Sequence, residues 1–236
     1  MAASSNSPPV QCRRDLSGQT VLVIGGSSGI GLETARLARA RGADIILTAR
    51  NPDRVYRAGL ELGASIAAFD ATDFGRLRRF FDALPAPIDH LLITGPGPYH
   101  APLAEFDPVA ARRDVDAHLL LALQVAGHAA SKVRPAGTLL FLGGACGRRA
   151  AVGVAFTAAV TAALSAVTRD LALEVAPIRV NLIAAGCAGT LPAGTRPAGR
   201  VVGPAGIAAL AVHLMTSTAV TGATFDIDGG QRLVEG

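Results

Sequence analysis

The chain has little sulfur, few aromatic residues and almost no lysine. It contains three cysteines, two tyrosines and no tryptophan in 236 residues, and its one lysine is Lys132. Cys12, Cys146 and Cys187 are odd in number and lack ligand spacing, so they support neither a disulfide framework nor a zinc site. We interpret Cys146 and Cys187 as small core residues. The formal net charge is only +4, and the arginines are scattered instead of clustered, which argues against nucleic acid as a partner.

Long apolar runs are also missing from the sequence. No uninterrupted apolar stretch reaches the roughly 18 to 20 residues of a membrane span, and the first 14 residues have no apolar core of the kind that signal peptides carry. We therefore expect a cytoplasmic protein with no membrane association. Residues 1–14 are predicted to be a flexible tail, and residues 15–236 are predicted to form one domain around a large core.

Short apolar segments alternate with longer helical patterns along the whole chain. The predicted strands are Thr20–Ile24, Asp44–Thr48, Ser65–Phe69, His90–Ile93, Thr138–Leu142, Arg179–Ala184 and Thr224–Asp226. Helices of ten or more residues are predicted to begin at Gly29, Pro52, Asp73, Pro108, Gly153 and Pro204. Strands this apolar must be covered on both faces. The pattern thus predicts an α/β fold with a Rossmann-type, doubly wound, seven-stranded parallel sheet and helices on both sides.

A glycine-rich turn joins the first predicted strand to the first helix. The segment Val21–Gly31 reads VLVIGGSSGIG, with the loop residues Ser27, Ser28 and Ile30 between its glycines. Glycine permits unusual backbone angles and close approach, and the first turn of a helix offers free amide donors to phosphate groups. The turn therefore predicts a dinucleotide site at its glycines. The alternative is a tight turn that binds nothing.

The end of the second strand bears on the choice of cofactor. A carboxylate there would bond the ribose 2′-hydroxyl of NAD and repel a 2′-phosphate. This chain has Ala49 and Arg50 instead. A guanidinium binds a phosphate with two hydrogen bonds and stacks on adenine, so the pattern favours NADP(H) over NAD(H). The other interpretation of Arg50 is a solvated arginine at the start of a loop.

From Asp15 to Val234 the sequence resembles the short-chain dehydrogenase/reductase superfamily. The family's TGxxxGxG signature is matched by Gly25, Gly29 and Gly31, with Ile24 in place of threonine. Later landmarks also match: Asp70, Asp89, Arg179 to Asn181, Gly186 with Thr190, and the run TGATFDIDGG. The resemblance implies a homo-dimer or homo-tetramer and a nicotinamide dinucleotide bound by Gly25, Ser27, Ser28, Gly29, Ile30, Gly31, Arg50, Asp70, Ala71, Thr94, Gly95, Gly186 and Thr190. Asp70 would contact adenine or, alternatively, cap the next helix.

The catalytic positions depart from the family pattern. Family members carry an asparagine, a serine and a Tyr-x-x-x-Lys pair. The resemblance places these at His118, Gly144, Thr157 and Thr161. Neither tyrosine of the chain precedes its one lysine by four residues. A threonine hydroxyl is too weak an acid to replace the tyrosine, and losing a positioned proton donor costs about 10² to 10⁴ in rate.

Two other residues are candidate proton donors, and two functions remain open. Histidine is a side chain that can act as a general acid, so His118 could do so, or it could be structural. Tyr99 could donate a proton, or it could anchor its loop. In one hypothesis the chain is an NADP(H)-dependent oxidoreductase with an atypical site for a small molecule. In the other it is a non-catalytic NADP(H)-binding protein, a sensor or a structural partner. The sequence does not identify a substrate.

Overall fold

The computed structural model describes residues 15–84, 87–145, 151–186, 197–199 and 202–233. Strands and helices alternate through these ranges, as the sequence predicts. The strands are β1 (Thr20–Ile24), β2 (Asp44–Ala49), β3 (Ser65–Ala68), β4 (Ile88–Ile93), β5 (Val133–Gly144), β6 (Arg179–Ala185) and β7 (Thr224–Ile227). The helices are α1 (Gly29–Ala40), α2 (Pro52–Leu62), α3 (Phe74–Ala83), α4 (Pro108–Val115), α5 (Leu121–Lys132), α6 (Ala155–Glu174) and α7 (Pro204–Thr216).

The seven strands form one parallel sheet in the order β3-β2-β1-β4-β5-β6-β7. Side chains of β1 alternate between two cores: Leu22 and Ile24 join the residues of α3, α5 and α6 on one face. Val21 and Val23 join α1, α2 and α7 on the other face. Because the side-chain period of a strand is two, this alternation buries both faces of the sheet. The predicted doubly wound Rossmann-type fold is confirmed.

The chain order reverses between β1 and β4, where the sheet grows in opposite directions. In open sheets of this kind, ligands bind outside the carboxyl ends of the strands at such a point. Two helices begin later than predicted for reasons of backbone geometry. Asp73 is the N-cap of α3, its carboxylate accepting from the Arg76 amide at 3.0 Å, and Gly153 has a φ of +83°, which no right-handed helix can contain.

Helix α6 is long and rich in apolar residues. By length and composition its 20 residues could cross a membrane. Leu164 and Leu171, however, are buried in the core beside β5 and β6. Packing against the sheet therefore accounts for the apolar composition of α6.

Candidate functional site

A crevice of about 920 Å³ opens at the carboxyl edge of the sheet, at the reversal between β1 and β4. The structure brings together on its walls all the predicted cofactor residues from the first to the fourth strand. They are Gly25, Ser27, Ser28, Gly29, Ile30, Gly31, Arg50, Asp70, Ala71, Thr94 and Gly95. Thus residues that lie up to 70 positions apart in the chain share one site because parallel strands end at the same edge.

The glycine loop has the shape that a diphosphate requires. Gly25 has a φ of +86°, and a Cβ on Gly31 would lie 2.5 Å from the Gly25 carbonyl oxygen. A Cβ on Gly29 would meet no protein atom within 4 Å, so the space beside this residue is open. Backbone packing therefore requires glycine at positions 25 and 31, while Gly29 leaves room for a phosphate.

The first helix differs from its neighbours at the N-terminus. The side chains of Asn51 and Asp107 cap α2 and α4, accepting from backbone amides at 2.8 Å. Ser28, the N-cap residue of α1, makes no such bond with its side chain. The first turn of α1 thus presents its amides and the positive end of its dipole to the crevice, and these residues fit a phosphate-bearing cofactor.

Three arginines line the crevice. Arg50 follows β2, and the structure adds Arg54 and Arg113, which the sequence analysis missed. In the described part of the chain, none of the three forms an ion pair with an acidic side chain. Arg54 is four residues beyond Arg50, a spacing that could have indicated it. Arg113 had no such signal, because the face that α4 turns to the crevice depends on the fold.

Asp70 also lines the crevice and stabilises the turn that follows β3. Its carboxylate accepts from the Thr72 amide at 3.0 Å and from the Thr72 hydroxyl at 2.7 Å. The alternative in which Asp70 caps the next helix is wrong, since Asp73 caps α3. Asp70 instead closes a side-chain turn that shapes the wall beside Ala71.

The catalytic corner, which we define as the end of β5 and the first turns of α6 together with Tyr99 and His118, borders the crevice at Gly95 and Pro96. Among the described residues, the crevice lining includes none of the aligned catalytic positions, which are His118, Gly144, Thr157 and Thr161. Gly144 is the last residue of β5, and Thr161 is buried one turn after Thr157 in α6.

Thr157 is fully buried beneath the loop that joins β4 to α4. Its hydroxyl donates to the Tyr99 carbonyl oxygen at 2.5 Å. Because that proton is used, the His100 Nδ1, 3.1 Å away, must be the donor in the second bond of this hydroxyl. The Ala101 amide also donates to the Gly153 carbonyl at 3.1 Å. Two main-chain points of the loop are therefore attached to the start of α6, over the position that the resemblance assigns to the family's tyrosine.

His118 lies in a π-helical turn, Asp116–Leu120, between α4 and α5. Its Nδ1 is 3.1 Å from an Asp114 carboxylate oxygen, and its Nε2 is 3.1 Å from the Pro96 carbonyl oxygen. Both ring nitrogens thus face oxygen acceptors of the protein. The ring links the π turn to the β4–α4 loop, and this arrangement favours the structural interpretation of His118 over the acid one.

Tyr99 is half-buried and contacts its own loop, α4 and α6. Its hydroxyl accepts from the Asp107 amide at 2.7 Å, and its own amide donates to the Asp114 carboxylate at 3.0 Å. The ring lies 6.0 Å from that of Phe106 and 5.9 Å from that of Phe156 between centroids. These contacts favour the interpretation of Tyr99 as a loop anchor.

One predicted cofactor residue lies elsewhere. Gly186 follows β6 but does not line the crevice, and a Cβ there would lie 2.8 Å from the Asp228 Cα, so its packing requires glycine. Thr190 lies outside the described residues, as do Cys146 and Cys187.

The residues that match known proteins include both the crevice and the corner. A family model described as enoyl-(acyl carrier protein) reductase matches residues 24–232. The chain is 30% identical over 254 residues to short-chain dehydrogenase/reductase ATR9 of Stachybotrys chlorohalonatus, covering 92% of this chain and 98% of that protein. It is 32% identical over 245 residues to cis-4-hydroxycyclohexanecarboxylate dehydrogenase of Sinomonas cyclohexanicum, covering 92% and 97%. A solved structure of a short-chain dehydrogenase/reductase family protein superposes with a TM-score of 0.82 at 29% identity, covering 93% of this chain and 100% of that one.

Proposed function

Since the chain belongs to the short-chain dehydrogenase/reductase superfamily, whose members are oxidoreductases that use a nicotinamide dinucleotide, we propose that it binds NADP(H) in preference to NAD(H). The observation that carries the proposal is the end of β2, where Arg50 lines the crevice and Ala49 stands beside it. A 2′-phosphate would meet a guanidinium there, with Arg54 nearby in the first turn of α2.

The proposed reaction is hydride exchange between this cofactor and the carbonyl or hydroxyl carbon of a small molecule, at a degenerate site. The bound dinucleotide would supply or accept the hydride. The chain's own residues bind and orient it, with Pro96, Ala117 and Leu142 on the apolar part of the crevice. Orientation alone is worth roughly 7 to 11 kcal/mol of barrier lowering. With threonine at positions 157 and 161, no phenol–ammonium pair protonates the developing alkoxide, so we expect slow turnover confined to activated acceptors.

The second candidate function is a binding protein that does not turn the cofactor over. It is favoured by one specific observation: the Thr157 hydroxyl donates to the Tyr99 carbonyl and is fully buried. A group in that position cannot also donate to a substrate oxygen. Such a protein would signal the NADP(H) level or support an active relative.

We also propose a homo-dimer or homo-tetramer, as the resemblance implies. Apolar residues stand exposed on α4, on the π turn and on α5, where Val109, Leu120 and Leu123 are between 37% and 57% exposed. Light scattering of the wild-type chain and of Leu123→Glu tests this, and a wild-type monomer would overturn it.

The experiment that tests the function combines binding and turnover. Purified protein is titrated with NADPH and NADH by calorimetry, and then screened with aldehydes, ketones and quinones at the nicotinamide absorbance. We expect NADPH to bind at least about tenfold more tightly than NADH. Equal affinities would overturn the cofactor proposal. Turnover of an activated acceptor supports the oxidoreductase, whereas tight binding without turnover supports the binding protein.

A further inference from the structure

Part of the crevice wall comes from the helical segment that runs from α4 into α5. Arg113, Ala117 and Leu121 follow one another at intervals of four residues, and all three line the crevice. Residues spaced in this way share one face of a helix. Arg113 is thus the polar end of an otherwise apolar stripe.

The neighbours of Arg113 leave its charge available to a ligand. Asp114, the next residue, is buried and bonded to His118 and to the Tyr99 amide. Arg113 itself is exposed and, across the described ranges, forms no ion pair. A guanidinium with no protein carboxylate beside it remains free to bind an anion.

The charge of the crevice is unbalanced. Three arginines line it, Arg50, Arg54 and Arg113, and among the described lining residues Asp70 is the one acid. The Asp70 carboxylate is already bonded to the Thr72 amide and hydroxyl. Clefts lined by charge of one sign concentrate ligands of the opposite sign.

We propose that Arg113 is a specificity-determining residue that binds the 2′-phosphate from α4, together with Arg50 and Arg54. The inference rests on the proposed NADP(H) function and extends it to a residue on another element. A phosphate bound by arginines of two elements receives charge-assisted hydrogen bonds from both, and a ribose that carries only hydroxyl groups cannot replace these bonds.

Arg112 offers a matched control for this inference. It is adjacent in α4 and also exposed, but it does not line the crevice. Arg113→Gln and Arg112→Gln therefore remove the same charge from the same helix. The ligands are NADPH and adenosine 2′,5′-bisphosphate, compared with NADH and adenosine 5′-monophosphate, with affinities measured by calorimetry at low and at moderate salt.

We expect Arg113→Gln to weaken both 2′-phosphorylated ligands roughly tenfold and the other two less than about twofold. Arg112→Gln should change none of the four beyond about twofold. Equal weakening of all four ligands by Arg113→Gln, no weakening at all, or the same change in Arg112→Gln would each overturn the inference. If the wild-type chain does not prefer NADPH, the proposed function itself fails. If it does and Arg113→Gln matches wild type, only the inference about Arg113 fails.

Discussion

The crevice beside α1 and the catalytic corner beside α6 lie at the same edge of one sheet but differ in what their polar groups do. In the crevice, the first turn of α1 has no side-chain cap and three arginines have no ion pair within the described ranges. In the corner, Thr157, Tyr99 and His118 bond to the protein itself. The polar groups of the crevice therefore remain available to an anionic ligand, whereas those of the corner hold the β4–α4 loop in place.

The largest effect we expect comes from reversing the charge at the end of β2. Arg50→Asp removes a phosphate ligand and adds a group that accepts from a ribose hydroxyl and repels phosphate. NADPH should bind about 100-fold more weakly, a change of about 3 kcal/mol, while NADH binds as well as before or better. Calorimetry with both cofactors measures the ratio.

Arg57→Asp is the control for this charge reversal. Arg57 lies in α2, is exposed and does not line the crevice. If both variants lose NADPH affinity equally, the net charge of the protein and not the Arg50 site determines the preference for NADPH over NADH. The crevice would then not differ from the corner as a ligand site.

A second, smaller effect should follow from filling the glycine loop. In Gly31→Ala, the added Cβ would lie 2.5 Å from the Gly25 carbonyl oxygen and 3.0 Å from the Thr94 hydroxyl. Backbone cannot move aside cheaply, so we expect a loss of roughly 2 to 3 kcal/mol in the free energy of unfolding, together with weaker cofactor binding. Denaturant unfolding measures it.

Gly127→Ala provides the opposite case, because this glycine lies within α5 and a Cβ there would meet nothing within 4 Å. It should stabilise the protein by up to about 1 kcal/mol. Equal changes in the free energy of unfolding of the two variants would show that the glycine loop tolerates a side chain at position 31, contrary to the close contact with the Gly25 carbonyl.

Local signals were sufficient to predict the fold and most of the crevice. Apolar strands, Gly31 at the start of a helix and Arg50 after β2 all act over a few residues of sequence. The contacts of the corner could not be predicted in this way. Thr157 bonds to a residue 58 positions away, and His118 to one 22 positions away. The position of Arg113 on the crevice wall could not be predicted because it depends on the orientation of α4, which tertiary packing determines.

His90 of β4 lies away from the carboxyl ends of the strands, and we expect it to make the stability of the protein depend on pH. Variants of the crevice and of the corner must therefore be compared at the same pH. His90 donates through Nε2 to the Gln19 amide oxygen at 2.6 Å and is buried. Burial, with a smaller contribution from the Arg179 charge, lowers its pKa to about 3. Asp15, Asp89 and Arg134 line the same small cavity.

The sign of the effect follows from the two states. Above about pH 6.5 His90 is neutral in both, and stability is unaffected. As the pH falls below this value, His90 becomes protonated in the unfolded chain but stays neutral in the folded chain down to about pH 3. The free energy of unfolding therefore falls by about 1.4 kcal/mol per pH unit. Between pH 7 and pH 5 the loss is about 2 kcal/mol. His90→Gln should remove this slope in denaturant unfolding, and His213→Gln, which alters an exposed histidine, should retain it.

The smallest effect tests whether the corner really holds its loop. Thr157→Val keeps the shape but removes the donor to the Tyr99 carbonyl, at a cost of about 1 kcal/mol in the free energy of unfolding. The amides of Tyr99 and Ala101 should exchange faster with solvent, while NADPH affinity stays unchanged because Thr157 does not line the crevice. Thr168→Val is the control, since Thr168 is equally buried in α6 but bonds to Leu164 within the helix. If Thr157→Val left both amides as protected as in Thr168→Val, the loop would not depend on this bond, and position 157 would be available to a substrate after all.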